Sequence, residues 1–343
     1  MNTDKRKVTM QDIADSTGFS RNTVSKALNA HDSLPKETRD FIIAKAAEMG
    51  YKQYALLEEA LTKKEQGNIA LFTLHMPGGA HFGSQFLSGF EKYMSQRAYT
   101  LTIHILRQTD IENLLLPYNF NPKSTEGILC IELFDPAYCR FLCKQNIPVI
   151  FADSFADSNI DNLPADLIMM ENRYSMRRLT ELLIDKKAEN IGFVGDKDHC
   201  RSFNERWLGF VDALAGIKST PLMESCILDR DSSMYGDTNW MAGKLQNMAR
   251  LPDAFVCAND FIAITLMSAL KKLGLSVPND VMLCGFDDSP EANIIEPKLT
   301  TVKIPSYDMG TVAAQMLEHR IENPHLSYQT SYMRTELKLR ETT

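Results

Sequence analysis

Apolar positions recur along this chain with two different periods, and the change of period divides it. In the first stretch they follow a helical repeat. Met10, Ile13, Ala14 and Thr17 share one face of a segment opened by Thr9, a capping hydroxyl, with Asp12 in the first turn, where negative charge is favoured. Gly18-Phe19 ends that helix: the glycine suits a left-handed turn, and the phenylalanine plugs the angle between helices. Ser20 caps a second helix, Arg21 to Leu28, with Val24, Ala27 and Leu28 inward and Arg21, Asn22, Ser25, Lys26 and Asn29 outward. After Ser33-Leu34-Pro35 a third helix brings Phe41, Ile42, Lys45, Ala46 and Met49 to the same small core and ends at Gly50.

From Asn68 onward the pattern becomes short apolar strands alternating with amphipathic helices. Strands are expected at 69–73, 101–105, 127–131, 149–152, 191–194, 254–257 and 281–285. Helices are expected near 84–96, 136–145, 172–186, 203–213, 240–249, 260–273 and 307–321. Such alternation builds parallel sheets covered by helices on both faces. The segment divides near Asp161–Leu163 into two similar halves, and the carboxyl end can cross back to the first. The expected fold is therefore an α-helical helix-turn-helix head on an α/β bilobed body of two parallel-sheet lobes.

Charge changes the picture only after the chain is divided. The net charge is −7, which by itself speaks against a nucleic-acid partner. Residues 1–64, however, hold 11 Lys and Arg against 9 Asp and Glu, a balance of +2, and the remainder carries −9. No apolar run approaches the roughly 18 residues of a membrane span, and the polar amino terminus has no signal-like core, so a cytoplasmic protein without a membrane partner is expected. The seven cysteines are scattered and odd in number, which reads as reduced thiols. Cys139 and Cys143 share a helix face, but no second ligand pair at metal spacing accompanies them, and neither a metal nor a cofactor is expected.

The chemistry of the outward face of the second helix fits DNA. Arg21 can pair with guanine edges, Asn22 with adenine, and Lys26 with guanine or phosphate, while Ser20, Thr23, Ser25 and the helix ends can hold phosphates. In the body, polar residues gather where strands end: Asp153, Asn259 with Asp260, Asp287 with Asp288, and Arg206 beyond the 191–194 strand. Carboxylates, an amide and a guanidinium over an apolar floor suit a polyhydroxylated ligand, because each hydroxyl both donates and accepts. His81 and Phe82 fall on the first cleft loop after Gly78-Gly79. Asp260 and Asp288 read as capping or structural groups, and Glu132 as a solvated strand end.

The string VTMQDIADSTGFSRNTVSKALN, followed by LPKETRDFIIAKAAEMGY, resembles the head of the lactose/galactose repressor family, and the likeness extends through nearly the whole chain. The resemblance implies a transcriptional regulator, typically a repressor, that binds an operator as a homodimer and is controlled by a small effector, most often a sugar. It implies a periplasmic-binding-protein-like body, base reading by Arg21, Asn22 and Lys26, and a backbone-contact and packing role for Tyr51. Asp153, Arg206, Asn259 and Asp287 stand at the positions that hold effector hydroxyls in sugar-responsive members. The expected domains are 8–62 for the head with its hinge, 67–161 plus 290–305 for one lobe, and 162–289 plus 306–340 for the other.

Two stretches depart from the family pattern. In the hinge, Gln53-Tyr54 replaces the usual Pro-Asn and Ala60 stands where a minor-groove wedge leucine is expected; Leu57 and Leu61, four apart on one helix face, can form a wedge or a linker that packs on its symmetry mate. Ile304-Pro305-Ser306 occupies a crossover where many relatives place a polar or aromatic ligand contact. Enzymes are disfavoured by the lack of phosphate-loop, dinucleotide, zinc-protease and nucleophile-elbow motifs. A solute-binding protein for sugars, without a DNA role, is the alternative that shares the body's fold.

Overall fold

A computed structural model of the chain describes residues 8–28, 34–51, 67–76, 82–156 and 163–343. Asn29, Leu57, Leu61 and His81 lie outside the described residues. Two compact units divide at Glu65/Gln66.

The head is built from α1 (Met10–Thr17), α2 (Arg21–Leu28) and α3 (Lys36–Glu48). Thr9 and Asp12 form a reciprocal capping box at the start of α1, with the Thr9 amide donating to Asp12 at 2.7 Å. Gly18 closes the helix in the left-handed region at φ 73°, its amide bonded to the Ala14 carbonyl at 2.9 Å. Ile13, Ala14, Val24, Ala27, Leu28, Ile42, Ala46 and Tyr51 make the buried core. Phe41, expected inward, is exposed and meets Phe19 edge-on at 6.4 Å, covering the turn rather than filling the core.

The body begins with β1 (Asn68–Thr73), α4 (Phe82–Ser95), β2 (Thr100–Ile105), α5 (Gln108–Glu112), β3 (Thr125–Ile131), α6 (Pro136–Cys143), β4 (Val149–Ala152) and β5 (Asp166–Met170). It continues with α7 (Arg173–Asp185), β6 (Ile191–Val194), α8 (Arg201–Gly216), α9 (Thr238–Gln246), β7 (Ala254–Cys257), α10 (Asp260–Lys272) and β8 (Met282–Cys284). Last come α11 (Pro290–Ile294), β9 (Thr301–Lys303), α12 (Ser306–Glu322), β10 (Thr330–Met333) and β11 (Glu336–Lys338).

A six-stranded parallel sheet in the order β10-β5-β4-β3-β1-β2 forms one lobe; β6-β7-β8, also parallel, forms the other. Strand alternation sends Ile69 and Leu71 to one face of the large sheet and Ala70 and Phe72 to the other, and both faces are buried.

The expected lobe boundaries change. β5, placed by sequence in the second lobe, lies in the first lobe's sheet, parallel to β4 and β10. The segment 306–340 is expected whole in the second lobe, but α12 packs on α4 and β10 joins the large sheet. Conversely β9, expected in the first lobe, pairs with β11, its Lys303 bridges to Asp287, and the preceding Thr300 bridges to Cys284, all in the second. The physical reason is burial: every β5 residue is buried, so it needs a sheet on both sides, and Asp166 at its head is neutralised by Arg320 of α12 at 2.8 and 2.9 Å. The chain thus crosses between lobes three times, near residues 171, 304 and 334.

The α4–α12 contact is made backbone to backbone. A Cβ at Gly310 would meet the Phe86 carbonyl oxygen at 1.9 Å, and one at Gly89 the Tyr307 carbonyl oxygen at 2.0 Å. Gly310→Ala should therefore force the helices apart and cost about 1–3 kcal/mol, the range for overpacking. Urea denaturation checks this; an unchanged midpoint would contradict the packing.

Candidate functional site

On the head, Arg21, Asn22 and Lys26 project from α2 into solvent, and among the described residues no side-chain hydrogen bond or ion pair engages them. Their helix is anchored at its start: the Ser20 hydroxyl accepts from the Thr23 amide at 3.1 Å and meets the Thr23 hydroxyl at 2.8 Å. Thr9 is exposed at the start of α1, and Ser25 is half-buried. Tyr51 is nine-tenths buried in the head core, where its amide follows α3 by bonding to the Ala46 carbonyl. A rigid helix thus offers one guanidinium, one amide and one ammonium, the three groups that read base edges in a major groove.

In the body, a cavity of about 940 Å³ opens where strand ends and crossovers of both lobes meet. The first lobe supplies Phe82, Gln85 and Glu132; the second supplies Asn259, Phe261 and Asp287; the crossovers add Ile304, Pro305, Ser306 and Arg334. Of the expected effector residues, Phe82, Asn259 and Asp287 line this wall. Phe82 is not on a loop but begins α4, its ring 5.5 Å from Phe86. Asn259 caps α10, accepting from the Ile262 amide at 2.9 Å.

Arg206 stands directly behind the wall, in the second turn of α8, only 2% exposed. Its Nε donates to Asn172 at 2.9 Å and its Nη1 to the Ala258 carbonyl at 2.6 Å; Nη1 is also 3.4 Å from the Asp287 carboxylate. The guanidinium lies 3.8 Å from the centre of the Phe286 ring. Arg206 therefore reaches the cavity through Asp287. The latter is held at φ 123°, a left-handed value rare outside glycine, by its amide bond to Val302. Burial raises the Asp287 carboxyl well above the ordinary range; Arg206 opposes the shift, and Asp260 and Glu132 add to it.

Asp153 is not on the wall. It is buried, and one carboxylate oxygen accepts from the Ser154 amide at 2.7 Å and the Ser202 amide at 3.2 Å. Ser202 opens α8 in the second lobe, so Asp153 stitches the lobes together. Burial raises its carboxyl, and those amide bonds pull against the rise. Beside it, Arg201 and Glu205 of α8 both bond the Tyr332 hydroxyl of β10, at 2.9 and 2.6 Å.

Asp260 is structural, as expected: it accepts from the Thr301 hydroxyl at 2.5 Å and the Ser289 amide at 2.8 Å. Asp288 pairs with Arg340. Sequence reasoning misses Gln85, Phe261, Tyr307 and Arg334, and reads Glu132, which lines the cavity, as merely solvated. For Glu132 the signal is present: it ends a parallel strand, the edge at which such sheets bind ligands. The aromatic group expected in the crossover is supplied one residue later, by Tyr307.

The seven cysteines are unpaired, and among the described residues no group of His, Cys, Asp and Glu has the arrangement of a metal site. No described helix is long and apolar enough to cross a membrane.

Residues 9–53 match the model of bacterial regulatory proteins of the lacI family, and residues 180–343 that of the periplasmic binding protein-like domain. The chain thus carries a lacI-family helix-turn-helix head and a periplasmic-binding-protein-like domain, and its homologues are repressors of the LacI/GalR type. Among its curated relatives is the HTH-type transcriptional regulator RegA of Clostridium saccharobutylicum, 28% identical over 97% of this chain and 98% of that protein. The ribose operon repressor of Halalkalibacterium halodurans is 25% identical over 98% and 97%. These LacI/GalR relatives are named as regulators and repressors rather than enzymes. Among solved structures, the transcriptional regulator CelR–cellobiose complex has a TM-score of 0.71 at 21% identity, covering 98% of this chain and 100% of that one. The Lac repressor dimer bound to operator and an anti-inducer gives 0.69 at 22%, covering 98% and 99%. At that identity both establish the fold.

The buried Asp260 carboxyl carries a pH signature. Burial raises its folded pKa above the unfolded value despite the bonds from Thr301 and Ser289. The folded state then favours the proton, so this contribution to stability is complete below the unfolded pKa of about 4 and is lost as pH rises toward neutrality. Asp260→Asn should abolish that slope and gain on the wild type as pH increases; parallel stability–pH curves from urea denaturation would count against it.

Proposed function

We propose that this protein is a sequence-specific DNA-binding transcriptional regulator, acting as a repressor, whose body binds a sugar or sugar derivative between its lobes. The observation that carries the DNA half is the anchored α2 with Arg21, Asn22 and Lys26 exposed on one face, inside the stretch that matches the lacI-family model. The same stretch argues against a plain solute-binding protein, which has no use for it. The effector half rests on the cavity: carboxylates, an amide and aromatic rings from both lobes are suited to hydroxyl groups with apolar ring faces. The CelR structure is a cellobiose complex, and a LacI-family transcriptional regulator of Enterococcus faecium with a similar fold was solved with bound ribose, which supports a sugar.

The protein acts as a homodimer on a near-palindromic operator in the cytoplasm and has no catalytic role. A head of charge +2 makes too few phosphate contacts alone, and paired heads reading successive major grooves are the usual remedy. Exposed Ile103 and Ile105 on the edge strand β2, with Leu222 and Met223 in the second lobe, supply apolar surface for pairing.

Selection of duplexes from a randomised pool by the full chain tests the DNA half. A single enriched two-fold motif is expected; Arg21→Ala or Asn22→Ala should cost about 1–3 kcal/mol at one half-site position and relax the base preference there. An unchanged motif in both variants would make the α2 assignment wrong. For the effector half, Asp287→Ala should leave operator affinity intact while removing the response to ligand, because a ligand acts only through its differential affinity for two states of the body. A normal response in that variant would place the effector elsewhere.

A further inference from the structure

Away from the cavity wall, a row of side-chain hydrogen bonds runs from the second lobe into the first. At its outer end stands Tyr332, on β10 of the large sheet just before the third crossover. Its hydroxyl reaches α8, where it donates to Glu205 at 2.6 Å and accepts from Arg201 at 2.9 Å; Arg201 and Glu205 are themselves paired at 2.9 Å. Burial, with the bond to Glu205 added, pushes the phenol up to about 12, so it keeps the proton it donates at neutral pH. The other oxygen of Glu205 leads toward the wall. It accepts from the Asn172 amide at 3.0 Å, the oxygen of that amide accepts from Arg206 at 2.9 Å, and Arg206 stands 3.4 Å from Asp287. Asn172 is fully buried and also donates to the Met170 carbonyl at 2.8 Å, so its planar amide has one orientation that serves these partners. The donors run one way, from Arg206 to Asn172 to Glu205, and hydrogen bonds in such a row strengthen one another.

We propose that Tyr332 is a positioning residue for the effector site: by closing this row from the first lobe, it holds the two lobes in the arrangement that forms the cavity. The inference rests on the cavity being the effector site. Phe82, Gln85 and Glu132 reach the wall from one lobe and Asn259, Phe261 and Asp287 from the other, so the wall exists only while the lobes keep their spacing. Chain crossovers by themselves make a hinge, and a side-chain bond across a hinge limits its angle. Tyr332 does not line the cavity, so it acts on a ligand only through the lobes. Holding them in place beforehand lowers the ordering cost of binding.

Two amides report the lobe spacing without any ligand. Arg201 and Ser202 open α8, where a helix offers its amides no internal acceptor, and they donate instead to the first lobe, to the Ser154 carbonyl at 2.7 Å and the Asp153 carboxylate at 3.2 Å. Their hydrogen exchange is followed by NMR in the full-length wild type and in Tyr332→Phe, which keeps the ring. The variant should exchange about fivefold faster at both positions, the worth of one net hydrogen bond, with Leu129 of β3 and Phe255 of β7 unchanged. Equal rates at Arg201 and Ser202 overturn the proposal. So does an acceleration shared by the two core strands, which would mark a general loss of stability. Glu205→Ala, which removes the acceptor on α8, should reproduce the local acceleration, and its failure to do so counts against the row. Cellobiose and ribose are then titrated calorimetrically into the wild type. A sugar that binds should slow both amides, because it bridges the same two lobes; binding without slowing overturns the link between the row and the cavity. If neither sugar binds, the sugar reading loses its support, and exchange in the ligand-free protein still decides the role of Tyr332.

Discussion

The buried guanidinium of Arg206 is the group around which the body is organised. A charge only 2% exposed must be met on several sides, and the fold meets it with the Asn172 amide, the Ala258 carbonyl, the Asp287 carboxylate and the Phe286 ring. The partners come from three separate parts of the chain, with Phe286 and Asp287 adjacent. Asn172 sits on the first crossover, Ala258 follows β7, and Asp287 lies on the cavity wall. The residue that balances the charge is thus also one that a ligand would touch. Any ligand group that binds Asp287 alters the electrostatic balance of a group tied to the crossover.

That connection continues beyond Arg206. Asn172 also donates to Glu205 at 3.0 Å, and Glu205 accepts from Tyr332, just before the third crossover. The same helix α8 receives the Asp153 carboxylate at its first turn. Its amino-terminal end is therefore held by both lobes at once, through charged and neutral hydrogen bonds that two lobe arrangements would make differently. Apolar packing alone would not provide such a lever, because it is non-directional. In proteins that switch, polar contacts at a lobe boundary give ligand binding something discrete to shift.

Much of this is legible in the sequence where local rules decide. The three head helices, their Thr9 and Gly18 caps and the outward residues of α2 follow from periodicity and capping chemistry within a few positions. The parallel strands 69–73, 149–152, 191–194 and 254–257 read clearly because each is a short apolar run between breakers. What escapes depends on partners far along the chain. β5 begins with Asp166, which looks like the end of a loop until Arg320, 154 positions later, neutralises it. Asp153 looks like a free carboxylate at a strand end, but the amides that claim it include one from a helix almost fifty residues away. Glu132 misleads for the opposite reason: its exposure is real, yet the solvent it faces is the cavity.

The most direct test of the central claim, that cleft and head are coupled, is a reciprocity measurement. Coupling free energy is shared, so the factor by which a ligand changes operator affinity must equal the factor by which operator changes ligand affinity. Ligand affinity of the full chain should be measured by calorimetry with and without saturating selected duplex, and duplex affinity with and without saturating ligand. Two equal factors that differ from one are the expected result. A ligand that binds the body with the same affinity whether or not DNA is present would contradict it.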